Sequence, residues 1–122
     1  MSQINRHIDV LDYDFETDSL LFRDKSSKYQ SSLDMGDLIL DIGEDGYPIG
    51  VELLDASKNF GVRKVALMNL KSIKASIKIS EKEIEVKINL YVEMRNTKVE
   101  KVSVSRGIND LNLQAGRTAM AC

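Results

Sequence analysis

From residue 83 to residue 95 the sequence alternates without a break. Ile84, Val86, Ile88, Leu90, Val92 and Met94 fall on one side, and Glu85, Lys87, Asn89, Tyr91, Glu93 and Arg95 on the other. Successive side chains of a strand point to opposite faces, so a period of two over this length specifies one long strand with one buried face. A helix would scatter the six apolar residues around its circumference. Just upstream, Ile73, Ala75, Ile77 and Ile79 alternate with Lys74, Ser76 and Lys78. The polar link Ser80-Glu81-Lys82 is short enough to join the two segments as an antiparallel hairpin. A sheet with strands this long would otherwise expose an apolar face or a bare edge, so it is expected to curl, and a homodimer would cover the edge.

Shorter elements surround the hairpin. After Asn96 the apolar positions are Val99, then Val102 and Val104. Their parity changes between Val99 and Val102, which predicts a bulge near Glu100-Lys101 or a late strand start. Leu111 and Leu113 read as a short final strand, and the small residues of the tail, 115–122, specify no element. Upstream, strands are expected over residues 7–13, 19–23, 37–42 and 48–54, with a polar loop marked by Ser26-Ser27-Lys28 and Ser31-Ser32. Gly43-Glu44-Asp45-Gly46 supplies glycines for a tight turn. Asp55 or Ser57 is placed to cap a short helix that Gly61 would end, and residues 62–70 fit a second helix better than a strand. The expected fold is therefore mainly β or α+β. It is an antiparallel β-meander with a long C-terminal hairpin and one or two short helices, forming one domain over residues 1–122.

Composition narrows the function classes. No stretch approaches the roughly 20 apolar residues of a membrane helix, and Met1-Ser2-Gln3-Ile4-Asn5-Arg6-His7 lacks the apolar segment of a secretory signal. Cys122 is the only cysteine, too few for an internal disulfide or a multi-cysteine metal site. The expected compartment is the cytoplasm. Residues 1–61 hold 5 Lys/Arg against 13 Asp/Glu, whereas residues 62–122 hold 12 against 6. Either acidic turns of the first half sit against basic strands of the second within one fold, or the two signs meet between subunits.

Two blocks carry a family resemblance. The first is Tyr13-Asp14-Phe15-Glu16-Thr17-Asp18-Ser19-Leu20-Leu21-Phe22, a tyrosine–aspartate turn followed by an acidic residue and a short strand. The second runs from Leu40 through Gly43-Glu44-Asp45-Gly46 and Gly50-Val51-Glu52 to Leu54-Asp55-Ala56-Ser57. Together they resemble the domain of unknown function family 2283 over about residues 10–60. The resemblance implies a small antiparallel sheet with a short helix, found in prokaryotic cytoplasm. It implies no activity and no catalytic residues. Residues 61–122 depart from the family pattern.

Several constellations suggest chemistry. Asp12-x-Asp14-x-Glu16-x-Asp18 has the oxygen spacing of a calcium loop, yet Thr17 stands where glycine is needed and Arg23 where a bidentate glutamate is needed. It reads as an acidic turn. His7 is the only histidine, with Asp9 two residues on, but no Gly-x-Ser-x-Gly elbow accompanies the pair. Asp41, Glu44, Asp45, Glu52 and Asp55 supply carboxylates near two turns, and Asp55 at a strand-to-helix junction is the one placed for burial. Lys74, Lys78, Lys87, Arg95, Lys98 and Lys101, with Tyr91 among them, form a basic strand face of the kind that binds nucleic acid. Glu81, Glu83, Glu85, Glu93 and Glu100 interrupt it, so nucleic acid is not the expected partner.

No Walker phosphate loop, dinucleotide fingerprint or His-Glu-x-x-His motif is present, and no cofactor or metal is expected. The expected function is a non-catalytic interaction or regulatory module that binds a protein partner or itself. The alternative is a small-ligand-binding protein or enzyme with a pocket near Asp41, Glu52 and Asp55.

Overall fold

The computed structural model describes residues 3–122. Ten strands and two short helices follow in the order β1 (Gln3–His7), β2 (Val10–Asp14), β3 (Ser19–Arg23), β4 (Tyr29–Asp34), β5 (Leu38–Gly43), β6 (Pro48–Leu53), α1 (Ala56–Phe60), α2 (Lys64–Leu67), β7 (Leu70–Ile79), β8 (Glu83–Met94), β9 (Thr97–Ile108) and β10 (Gly116–Ala121). The first sheet has the order β2-β3-β6-β5-β4, and the second β1-β10-β7-β8-β9. The fold is mainly β, with the long C-terminal hairpin that the alternation specifies. Every pairing is antiparallel except that of β1 with β10.

Each sheet turns one apolar face to the other, as a half-buried strand pattern requires. Leu20, Phe22, Leu38, Leu40, Val51 and Leu53 of the first sheet share one core with Ile73, Ile77, Ile84, Val86, Ile88 and Leu90 of the second. Phe60 of α1 and Leu67 of α2 enter the same core where the chain crosses from one sheet to the other. Residues 62–70 thus contain a helix, but a short one, with β7 starting at Leu70.

The expected strand over residues 7–13 is two strands in different sheets. The Ile8 amide donates to Ala121 O of β10 at 2.8 Å, whereas the Asp9 amide donates to Arg23 O of β3 at 3.1 Å. The chain changes sheets between those two residues, with Ile8 buried at the crossing. Ser31 and Ser32 lie in strand β4 rather than in a loop. On an edge strand with one wet face, serines cost little. Leu111 and Leu113 form no strand. Asn109 holds that segment as a loop, donating to Ser80 O and Leu113 O while accepting from the Leu113 amide at 2.8 Å. The unassigned tail supplies β10, in which Gly116, Thr118 and Met120 alternate into the interior.

No bulge interrupts β9. Its register with β8 is continuous from Met94↔Thr97 to Glu83↔Ile108. The two-residue turn Arg95-Asn96, with φ of 52° and 63°, matches the twist of the flanking strands. An unbroken register makes the valine parity a change of face instead. Ser103 and Ser105 point into the interior, the Ser105 hydroxyl donating to Asp37 Oδ2 at 2.6 Å. Val102 and Val104 point outward.

Ion pairs among the described residues do not join the acidic and basic halves. Arg6 pairs with Asp45, Lys71 with Glu93, and Arg106 with Glu85. Arg6 ties β1 to the turn between β5 and β6. Its guanidinium donates to both Asp45 carboxylate oxygens, to Ser27 Oγ and to Pro48 O.

Candidate functional site

Asp41 and Glu52 stand on β5 and β6 and face away from the core. Asp41 is opposite Gly50, and Glu52 opposite Ile39, which makes the two carboxylates diagonal neighbours on adjacent strands. Asp41 Oδ1 accepts a hydrogen bond from Ser32 Oγ at 2.8 Å. Gly50 makes room for Arg23 on this face. A Cβ there would lie 3.0 Å from both Arg23 Cγ and Phe22 O, so glycine lets the Arg23 side chain cross the sheet toward the Tyr29 ring, 5.7 Å away. Asp55 lies beyond the end of β6, exposed and in a left-handed conformation at φ 48°. The structure therefore brings Asp41 and Glu52 onto one face and leaves Asp55 apart from them.

Asp55 occupies the N-cap position of α1, yet its side chain makes no capping bond. That task falls to Asp18, 39 positions before Ser57 in sequence. Asp18 accepts from the Ser57 amide at 3.1 Å, from Ser57 Oγ at 2.7 Å and from the Tyr13 hydroxyl at 2.6 Å. Its own carbonyl accepts from the Ala56 amide at 2.9 Å. Asp18 adopts φ 56° and is 7% exposed. Aspartate tolerates this backbone region better than most residues.

Burial raises the Asp18 carboxyl, but the hydrogen bonds from Tyr13 and Ser57 and the charge of Lys64 outweigh it and hold the group below the usual carboxylate range. Tyr13 moves the other way. Burial first, then its bond to Asp18 and the nearby carboxylate charges, push the phenol above its ordinary value. A proton-transfer site needs groups whose pKa values approach neutrality, and both of these move away from it. The cluster anchors the β2–β3 turn to the start of α1. Sequence reading missed Asp18 in this role, although the tyrosine–aspartate turn and the Asp55-Ala56-Ser57 run are the segments that it joins.

The outer face of the second sheet carries the basic strand residues. Lys74, Lys78, Lys87, Tyr91 and Lys98 lie on it, whereas the odd parity of Lys101 turns that residue to the inner face of β9. Arg95 sits in the hairpin turn. Glutamates are interleaved with the cations. Glu100 accepts from Tyr91 Oη at 2.8 Å and Asn89 Nδ2 at 2.9 Å, and these bonds, with Lys87 and Lys74 nearby, hold its carboxyl low. Lys98 Nζ lies 5.0 Å from the Tyr91 ring centre. Between Lys74 and Lys87 the floor falls to Ser76, Ala119 and Ala121, leaving an open depression of about 500 Å³.

At the far side of this face is the outer edge of β9, the last strand of its sheet. Val102, Val104 and Ile108 are 44%, 43% and 74% exposed along it. Asp12, Asp14 and Glu16 gather no metal ligands around Asp18. Among the described residues no group of three His, Cys, Asp or Glu side chains is placed to hold a metal ion. His7 is exposed at the end of β1, and Asp9 accepts from the Lys25 amide instead of meeting it. Among the described residues no helix is long and apolar enough to cross a membrane.

A family model described as "Protein of unknown function (DUF2283)" matches residues 11–57, from β2 to the start of α1. The chain is 43% identical over 102 residues to a Methanosarcina mazei protein named "putative hypoxanthine phosphoribosyltransferase". That alignment covers 84% of this chain and 83% of the relative. It is 37% identical over 111 residues to an uncharacterized protein of Methanocaldococcus jannaschii, covering 90% of this chain and 96% of the relative. Both alignments run well past residue 57, so the relatives share part of the second sheet as well as the first. No solved structure matches. Residues 11–57 belong to the DUF2283 family of unknown function, and over most of its length the chain belongs to one family with these two archaeal relatives.

Proposed function

We propose that this protein is a non-catalytic interaction module that offers the outer edge of β9 to a protein partner. The observation that carries the reading is a twelve-residue strand paired on one side only, with Val102, Val104 and Ile108 exposed along it. Exposed edges of this length are templates for strand addition, in which main-chain bonds supply affinity and alternate side chains supply selectivity.

The edge-facing backbone groups follow from the register. Met94 and Thr97 flank a two-residue turn and form a hydrogen-bonded pair, and such pairs alternate along an antiparallel ladder. Odd-numbered residues of β9 therefore bond to β8, and the Asn109 amide, bonded to Lys82 O, continues that series. Even-numbered residues direct their N–H and C=O groups to the open edge, where the Ile108 carbonyl already accepts from the Asp110 amide at 3.0 Å. Val104→Pro removes one edge-facing N–H without breaking a bond to β8, a substitution that edge strands accept.

Capture of the tagged protein from its native lysate tests the reading. Wild type is expected to retain a stoichiometric protein partner that the Val104→Pro variant loses while keeping its thermal transition. A partner retained equally by both would overturn the assignment to this edge.

A second reading is a small-ligand-binding protein or enzyme, for which Asp41, Glu52 and Asp55 are the carboxylate candidates. The depression between Lys74 and Lys87, on the second sheet and apart from those carboxylates, suits a ligand bearing phosphate. The Methanosarcina mazei relative is named for transfer of a phosphoribosyl group to hypoxanthine. The same capture decides between the readings: a phosphate-bearing small molecule released on denaturation, with no protein above background, would replace the first with the second.

A further inference from the structure

We propose that the partner of the β9 edge is a second copy of this chain, bound antiparallel about a twofold axis at Ser103. The two second sheets then become one continuous sheet. The inference rests on the reading of β9 as the interaction edge and adds to it the identity and register of the partner.

Main-chain geometry limits the registers. Edge-facing groups belong to the even-numbered residues, so even must pair with even across the interface, and the axis must pass through a residue rather than between two. Side chains then select among the remaining choices. With the axis at Ser103, Val102 lies opposite the partner's Val104, and Glu100 opposite the partner's Arg106. Each pair occurs twice by symmetry. An axis at Val102 would set Lys98 against the partner's Arg106. An axis at Val104 would set Val102 against the partner's Arg106. Facing apolar pairs and facing opposite charges stabilise antiparallel strands, whereas like charges directly opposite destabilise them. The Ser103 register is the one that matches valine with valine and acid with base.

The neighbouring rows extend the same complementarity. Arg106 already pairs with Glu85 at 3.4 Å within its own chain, so the partner's Glu100 would continue an alternating row of charges across the joint. On the inner face Lys101 meets the partner's Ser105, whose hydroxyl is bonded to Asp37. That places a cation of the basic half beside a carboxylate of the acidic half. No ion pair among the described residues makes such a link within one chain. An isologous pairing also covers both long edges at once, which suits a symmetric dimer.

Sedimentation equilibrium with charge-swapped variants provides the test. Wild type is expected to show twice the 13.7 kDa of one chain. Glu100→Arg alone faces the partner's Arg106 with arginine, and Arg106→Glu alone faces the partner's Glu100 with glutamate, so each is expected to halve the mass. An equimolar mixture of the two variants restores opposite charges at both positions and is expected to recover the dimer, which also shows that each variant is folded. Either variant dimerising alone as well as wild type would overturn the register. A monomeric wild type that still loses a captured protein on Val104→Pro would overturn self-pairing while leaving the edge reading standing. A wild-type dimer undisturbed by Val104→Pro and by both charge variants would sink the two together.

Discussion

Cut after Gly61, the chain is expected to lose cooperative folding, although the remaining piece contains the whole family-matched segment. That segment builds the first sheet and the start of α1. Its core face consists of Leu20, Phe22, Leu38, Leu40, Val51 and Leu53, and in the full chain the second sheet covers them. Burying a large apolar side chain contributes about 1.5–3 kcal/mol. Exposing this set therefore removes an amount comparable to the whole stability of a small domain, roughly 5–15 kcal/mol. Urea unfolding followed by circular dichroism is expected to show a sigmoidal transition for the full chain and none for residues 1–61. A monomeric fragment with its own sharp transition would contradict the shared core.

The second large effect is expected at Asp18. Asp18→Ala strands the Ser57 amide, Ser57 Oγ and the Tyr13 hydroxyl, and it places alanine at φ 56°. Hydrogen bonds to a charged group contribute about 1.5–3 kcal/mol and leave unpaired partners when removed, so a loss of about 3 kcal/mol is expected. Asp18→Asn keeps the backbone preference and removes the charge.

The pH dependence separates these contributions. The folded carboxyl of Asp18 lies below its unfolded value, so the native state stays ionised to lower pH than the unfolded chain. Its stabilisation is complete above the unfolded pKa of about 3.9 and is lost as pH falls through the folded one. The gap between wild type and Asp18→Asn should be widest near neutrality and close in acid. Tyr13 has the opposite sign. Its phenol is raised, so its contribution is present below the unfolded value of about 10 and declines as pH rises beyond it. A gap between wild type and Asp18→Asn that widened in acid would show that the Asp18 carboxylate is not what the cluster stabilises.

What the sequence revealed depended on how each element declares itself. The hairpin of β7 and β8 was legible because Ile73 to Met94 alternates around a short polar link, and one face of each strand is buried. The switch of sheets at Ile8-Asp9 was not, because hydrogen-bond partners change there without a glycine or proline to mark it. In β10 the interior positions are Gly116, Thr118 and Met120, too mixed to register as an apolar face. β9 misled because valine is assumed to point inward. Its interior positions hold Ser103 and Ser105, and its valines face solvent. The site residues show a similar divide. Asp41 and Glu52 share a face because both strands keep their alternation. Asp18 reaches Ser57 only through tertiary folding, beyond any local spacing rule.

The inversion of β9 is also the feature on which the proposed function rests. An edge strand that turns apolar side chains outward and serines inward has the features that invite another strand, and its open row of main-chain groups can accept one. Amide hydrogen exchange of the wild-type protein, measured residue by residue in dilute and concentrated solution, tests this most directly. The even-numbered amides of β9, Val102, Val104 and Arg106 among them, are expected to gain protection as concentration rises. The odd-numbered amides, already bonded to β8, should remain protected throughout. Even-numbered amides that exchange at the same rate at every concentration, with added protection appearing on another surface, would contradict it.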